Sequence, residues 1–335
     1  MNVQANRTLR FLVTGATGFI GSHVVESLNA KGWEVVCPVR DTSSLRNLDP
    51  TAARVVSLDR LESEITGDGA VDYVIHVAGS TRALNYEGYR AANVDFARRL
   101  LDLFQQPAMR NGLKRFVLVS SQAAAGPSRE DGTPVTEQDP PHPVSLYGRT
   151  KLEAEMACLA VSERLPITII RPSTVFGPRD LDVLGVFKSA KYRIAAHIAG
   201  PNRLVSIIYV QDLVQGILAA AFSPAAVGQT YFIANPVPVV WREFSLHAAR
   251  VMGYKAVALP VPLFIMRLVA RAGDFFGGIT GNAQLFRTEK LEEMKQIAWV
   301  CSAAKAEKEL GWSSRTPMTD ALEKTAGWYR EHGWL

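Results

Sequence analysis

Short, unbroken apolar runs alternate with longer stretches of helical periodicity along the first half of the chain. Arg10–Thr14 is the first run, and Phe19–Lys31 carries the first helical spacing before Gly32 supplies a left-handed stop. Further strands are expected at Glu34–Val39, Arg54–Leu58, Tyr73–Val77, Phe116–Ser120 and Ile167–Arg171. Helices are expected between them, notably Glu87–Phe104 and Ser145–Arg164. Strands that are apolar at successive positions must be covered on both faces, so the class is α/β: a doubly wound parallel sheet with helices on either side. Gly126–Val144, rich in Pro, Gly and acidic residues, reads as a long loop. Beyond Gly177-Pro178 the alternation lapses, although helical Val210–Phe222 and strand-like Gln229–Ala234 fit the sheet again. The expected division is a nucleotide-binding unit of 1–178 plus about 207–240, and a smaller, mostly helical C-terminal substrate lobe from 179–206 and 241–335.

Composition narrows the class without changing it. The 335 residues are 47% hydrophobic and 21% charged, ordinary for a globular protein. A formal charge of +5 raises the question of nucleic acid, but the cations are scattered in short pairs such as Arg98-Arg99 and Lys114-Arg115, so no nucleic-acid partner is expected. Cys37, Cys158 and Cys301 are widely separated, and no Cys/His spacing suits a metal, so a reducing, cytoplasmic setting without a metal site is expected. Met1–Thr8 lacks the apolar segment of a signal peptide. The longest apolar stretch, Val257–Ala272, is interrupted by Arg267 and Arg271 and falls short of a membrane span.

Chemistry enters with Thr14-Gly15-Ala16-Thr17-Gly18-Phe19-Ile20-Gly21, which leaves the first strand and opens the first helix. Gly15 permits a sharp turn, Gly18 permits backbone to approach a pyrophosphate, and Gly21 permits close helix–sheet packing. The helix N-terminus offers unpaired N–H groups and a positive dipole end to phosphates. At the end of the second strand, where a carboxylate would hold a ribose hydroxyl, stands Arg40. A guanidinium there favours the 2′-phosphate of NADP, with Ser43 and Arg46 as further donors, while Asp41 keeps NAD open. Later, Tyr147 and Lys151 share one helix face at i, i+4. A neighbouring ammonium lowers a phenol's pKa and suits it to proton exchange with a carbonyl or alcohol oxygen.

The GxxGxxG spacing, the Tyr147/Lys151 pair and a serine ending the fifth strand together resemble the short-chain dehydrogenase/reductase superfamily. The resemblance points to its extended members, the NAD-dependent epimerase/dehydratase and 3β-hydroxysteroid dehydrogenase-like branch with a Rossmann sheet. Arg171–Pro178, Tyr209–Asp212, and the tail from Glu309 to Trp334 carry it through most of the chain. It implies Ser121, Tyr147 and Lys151 as catalytic residues, with Ser120 the neighbouring alternative to Ser121. It implies cofactor contacts at Gly15, Thr17, Gly18, Phe19, Ile20, Gly21, Arg40, Asp59, Arg60, Ala78, Gly79, Ser80, Asn93, Ser120, Tyr147, Lys151, Pro172, Thr174 and Val175. Substrate contacts are expected at Gln122, Thr81 and Arg203, and His76 is expected to be structural. A homodimer built from the helices 87–104 and 145–164 is also implied.

Thr174 and Val205 stand where sugar-nucleotide enzymes of this branch carry an asparagine and a diphosphate-gripping arginine, although Arg203 lies close by. Gln122 and Ala123 replace the acidic pair of dehydratases. The expected reaction is therefore hydride transfer between nicotinamide and the secondary alcohol or ketone carbon of an apolar, steroid-like or aromatic substrate. Val257–Ala272 either closes an apolar pocket or simply packs the small lobe. A nucleotide-sugar epimerase is the second reading and a non-catalytic cofactor sensor the third.

Overall fold

Seven parallel strands order the larger part of the molecule, seen in a computed structural model that describes residues 8–40, 44–49, 51–67, 71–280 and 286–335. They are β1 (Arg10–Thr14), β2 (Glu34–Val39), β3 (Arg54–Ser57), β4 (Tyr73–His76), β5 (Arg115–Val119), β6 (Ile167–Pro172) and a last strand, Gln229–Ile233. The order across the sheet is Gln229–Ile233, β6, β5, β4, β1, β2, β3. The chain thus winds outward from β1 in one direction, then returns to β4 and winds outward in the other. The reversal opens a crevice at the carboxyl ends of β1 and β4, where ligands bind in such sheets. In register, Thr14 lies beside His76, and their side chains meet at 2.6 Å.

Successive residues of β1 serve opposite faces. Val13 joins a buried cluster with Val24, Leu213 and Ile217, whereas Leu12 joins one with Leu100, Phe104, Ala154 and Cys158. This is the physical content of the unbroken apolar runs: each strand fills two cores at once.

The small lobe has its own core around Phe187, Phe244 and Tyr329. The lobe boundary expected from sequence differs at one place. Ala303, Ala306 and Trp312 pack with the sheet's core, and the Trp312 indole donates to the Asp212 carbonyl oxygen at 3.0 Å. Helix Ala304–Leu310 covers the edge strand Gln229–Ile233, which would otherwise lack cover at that side. The helix expected at 87–104 runs over 86–105 and contains a π-turn at Ala91–Asp95. Among the described residues no helix is long and apolar enough to cross a membrane, and no group of side chains is arranged to hold a metal ion.

Candidate active site

At the first crossing two of the three glycines are required by space. Gly15 has φ +71°, and a Cβ there would stand 2.7 Å from the Ala78 nitrogen, in the loop after β4. A Cβ on Gly21 would stand 2.1 Å from the Gly15 carbonyl oxygen. The first helix, α1 (Phe19–Asn29), therefore starts hard against the sheet, with Gly18 as its N-cap and no side chain capping it. Its leading N–H groups face the crevice, a cradle that fits the pyrophosphate of a nicotinamide dinucleotide. Thr17, Phe19 and Ile20 are half-buried around it, and the Asn47 amide donates to the Thr17 carbonyl oxygen.

Arg40 is exposed at the end of β2. Asp41 and Ser43 lie outside the described residues. Arg46 lies over the Trp334 ring at 5.6 Å. Asp59 and Arg60 are exposed in the short turn after β3.

Ala78, Gly79 and Ser80 form the loop beyond β4. Asn93, buried in the π-turn, braces it: its Oδ1 accepts from the Ser80 N–H at 2.8 Å, and its Nδ2 donates to the Ser80 carbonyl and to Thr150 Oγ1. The Asn93 amide is thereby committed to the loop and to the helix Leu146–Leu159. A Cβ at Gly79 would collide with Asn93 Oδ1 at 2.7 Å. Pro172 closes β6, and Thr174 and Val175 follow in a short strand beside Ile207–Tyr209. His76 is fully buried with its pKa pushed down to about 3, first by burial and then by the Lys151 charge, as suits a structural neutral imidazole.

The two adjacent serines take different tasks because strand alternation points them apart. Ser120 Oγ donates to Glu155 at 2.5 Å, within a buried pair of Glu155 with Arg171 at 2.6 Å. Ser121 caps the short helix Gln122–Ala125, accepting from the Ala123 N–H, and its hydroxyl is near enough to the Tyr147 phenol to draw the phenol's pKa down. Tyr147 and Lys151 lie on helix Leu146–Leu159, capped by Ser145.

Their electrostatics differ from the expected tuning. Burial raises the phenol well above its ordinary value; the neighbouring Ser121 hydroxyl opposes this, while Glu293, Asp182 and Tyr89 add to it. Lys151 is turned to the Val119 carbonyl oxygen at 2.7 Å, and burial draws its pKa down to about 8 against the upward pull of Glu155 and Cys158. Lys151 is not among the groups that shift the phenol, so the lowering expected from i, i+4 spacing alone is not seen, although two of its three ammonium donors remain beyond the Val119 contact.

Sequence reasoning missed the residues that hold this helix from across the lobe boundary. Glu289 accepts from the Leu146 and Tyr147 backbone N–H groups, and Ser145 Oγ donates to Glu293 at 2.6 Å. Their only signal was the i, i+4 pairing of two carboxylates in Thr288–Met294. A small pocket beside Tyr89 is lined by Thr81, Arg82, Ala83, Asp182, Arg287, Glu289 and Lys290. The Tyr89 ring, which lines this pocket, lies 6.4 Å from the Tyr147 ring, so the pocket and Tyr147 flank the same tyrosine. Gln122 is buried with its Nε2 unpartnered. Arg203 donates through Nε to the Met294 carbonyl oxygen and through Nη1 to those of Ile198 and Pro201.

The apolar stretch Val257–Ala272 neither closes a pocket nor simply packs the lobe. It forms a strand, Val257–Val261, and half of helix Leu263–Thr280, and its large side chains are mostly exposed. Small residues, Ala270 and then Gly277, occupy the buried positions of that helix, which turns the bulky ones outward.

Comparison with known proteins agrees with this architecture. Ceramide reductase of Caulobacter vibrioides (strain NA1000 / CB15N) is 28% identical over 331 residues, covering 96% of this chain and 95% of its own. The 4-hydroxy-2-methyl-3-oxo-4-farnesyl-3,4-dihydroquinoline-1-oxide ketoreductase of Stigmatella aurantiaca is 26% identical over 79% of this chain and 80% of its own. The fold is that of UDP-glucuronic acid 4-epimerase from Bacillus cereus, solved with UDP-glucuronic acid and NAD, at a TM-score of 0.76 and 21% identity over 97% of this chain and 100% of that one. Residues 11–234, which span the seven-stranded sheet, the glycine crossing and the Tyr147 helix, match the model of one family. The chain belongs to the NAD dependent epimerase/dehydratase family, whose members act as nicotinamide-dependent reductases and epimerases.

Proposed function

We propose that this enzyme reduces the ketone, or oxidises the secondary alcohol, of an apolar substrate that carries no diphosphate. One observation carries the reading: the cations around the pocket beside Tyr147 are already engaged. Arg82 pairs with Asp182 at 2.9 Å, Arg287 with Asp274 at 2.7 Å and Lys290 with Glu293 at 3.4 Å. Arg203 is held by three backbone carbonyls, and Val205 stands where a second cation would grip phosphate. The names of the ceramide reductase and the farnesyl-dihydroquinoline ketoreductase lend support.

The bound nicotinamide would supply the hydride. Ser121 would hold the substrate oxygen, Tyr147 would pass its proton to that oxygen during reduction, and Lys151 would hold the nicotinamide ribose and return positive charge towards the phenolate. The buried Gln122 Nε2 is a spare donor for a polar group of the substrate. The exposed Arg40 supports NADP over NAD, through a bidentate contact to a 2′-phosphate.

Absorbance assays with NADPH and NADH test both parts together. Turnover is expected with sterol or aromatic ketones, faster with NADPH, and Arg40→Ala should erase that preference. Two missing phosphate anchors at about 1 to 3 kcal/mol each weaken a nucleotide sugar by roughly two to four powers of ten. Micromolar UDP-glucose binding followed by C4 inversion would instead install the epimerase reading.

A homodimer is part of the same proposal. Met156 is 61% and Leu159 46% exposed on the Tyr147 helix, an apolar edge suited to pairing with the same helix of a second copy. Light scattering should give twice the 36.7 kDa chain mass, and a monomer at micromolar concentration would refute it. The three buried, unpaired thiols support a reducing, cytoplasmic setting.

A further inference from the structure

Helix Leu263–Thr280 is built inside out. Its only fully buried residues are Ala270 and Gly277, with Leu263, Met266, Gly273 and Asp274 half-buried along the same stripe. The opposite face carries Phe264, Leu268, Phe275 and Ile279, each at least 60% exposed, at i, i+4, i+11 and i+15. Ile265, Val269 and Phe276 widen it. The preceding strand extends the patch: Val257 and Leu259 pair in register with Ile194 and Ala196, and all four are exposed on one face of the ribbon. An exposed apolar surface of this kind marks an interaction site.

We propose that this face docks in the surface of an anionic lipid bilayer, lying in the plane of the headgroups. Charge selects this occupant. Arg267 and Arg271 are both exposed at one flank of the apolar face, while the helix's single acid, Asp274, is neutralised by Arg287. Lys191, Arg193 and Lys255 are exposed beside the ribbon. A second copy of this face would set its arginines against its partner's, whereas anionic headgroups complement them. The helix also lacks the apolar length to span a bilayer, as an in-plane helix does.

The surface adjoins the pocket. Arg287, which holds Asp274 of this helix, donates to the Ala83 carbonyl oxygen at 2.5 Å and lines the pocket beside Tyr147. Docking would bring the pocket mouth to the lipid. The docking itself does not depend on which ketone is reduced, so its test needs no substrate.

Flotation with phosphatidylcholine vesicles, with and without phosphatidylglycerol, measures it. The wild-type chain should float with the anionic vesicles and be released by salt. The triple variant Phe264→Ser/Leu268→Ser/Phe275→Ser should partition at least about tenfold more weakly, because three apolar side chains no longer insert. Arg267→Gln/Arg271→Gln should lose the preference for anionic lipid. Unchanged cofactor binding and thermal midpoint would certify that both variants are folded, because the substituted side chains are exposed. Absence of wild-type flotation would overturn the proposal. So would full binding by the triple variant, or a fall in assembly mass in that variant, which would assign the face to a second copy.

Discussion

Tyr147→Phe should lower kcat about a thousandfold, roughly 4 kcal/mol of transition-state stabilisation, while leaving cofactor affinity within a factor of about two. The substitution removes one oxygen and keeps the ring that packs near Tyr89. Ser121 keeps the Ala123 N–H that orients it. Burial, Glu293 and Asp182 hold the phenol protonated, so in the reductive direction it is a donor in its resting form. The effect should therefore fall on the chemical step, and single-turnover kinetics would show it directly. Retention of most of kcat would remove Tyr147 from the reaction.

Arg171→Met should destabilise the chain by about 3 to 5 kcal/mol, because it strands a buried carboxylate. Glu155 is 2% exposed and Arg171 7%, joined by two-pronged contacts of 2.6 to 3.2 Å. With the guanidinium gone, Glu155 keeps only the Ser120 hydroxyl and the distant pull of Lys151. Replacing both partners, Glu155→Leu with Arg171→Met, should recover most of the loss, since two apolar chains in that space leave nothing unpaired. Urea unfolding of the wild type, the single and the double variant measures the cycle. A single variant as stable as wild type would show that the pair is dispensable. The double variant should also lower the Lys151 pKa further below about 8, because Glu155 is the main group holding it up.

The sheet was legible because each of its central strands fills two cores, which writes the strand into the sequence as an uninterrupted apolar run. The glycine crossing was legible for a similar reason: Gly15 and Gly21 stand where any side chain meets backbone. The role expected of Ser121 came from the family resemblance, since the short helix Gln122–Ala125 and the long loop after it separate that serine from the Tyr147 helix. What stayed hidden was set by distance along the chain or by inversion of a usual rule. Glu289 reaches the Tyr147 helix across 142 positions, which no local pattern encodes. Lys151 finds a strand carbonyl nearer than the phenolate, so helical spacing alone misjudged its partner. The apolar stretch Val257–Ala272 read as buried because bulk usually turns inward, yet in the helix it opens, Leu263–Thr280, the alanine and glycine positions face the protein.

The π-turn at Ala91–Asp95 has a consequence for the phase of its helix. A turn with one residue more than an α-turn rotates everything before it relative to everything after it. Ahead of it, Tyr89 faces the pocket beside Tyr147; within it, Asn93 grips the Ser80 loop; beyond it, Ala97, Leu100 and Phe104 fill the core under β4 and β5. On a regular helix at about 100° per residue these positions would drift over about 80° of one face, and the wider π-turn resets the phase between Tyr89 and the core-facing Ala97, Leu100 and Phe104. Deleting one residue between Ala91 and Asp95 would make the helix more regular and swing Tyr89 by about 100° away from its present bearing.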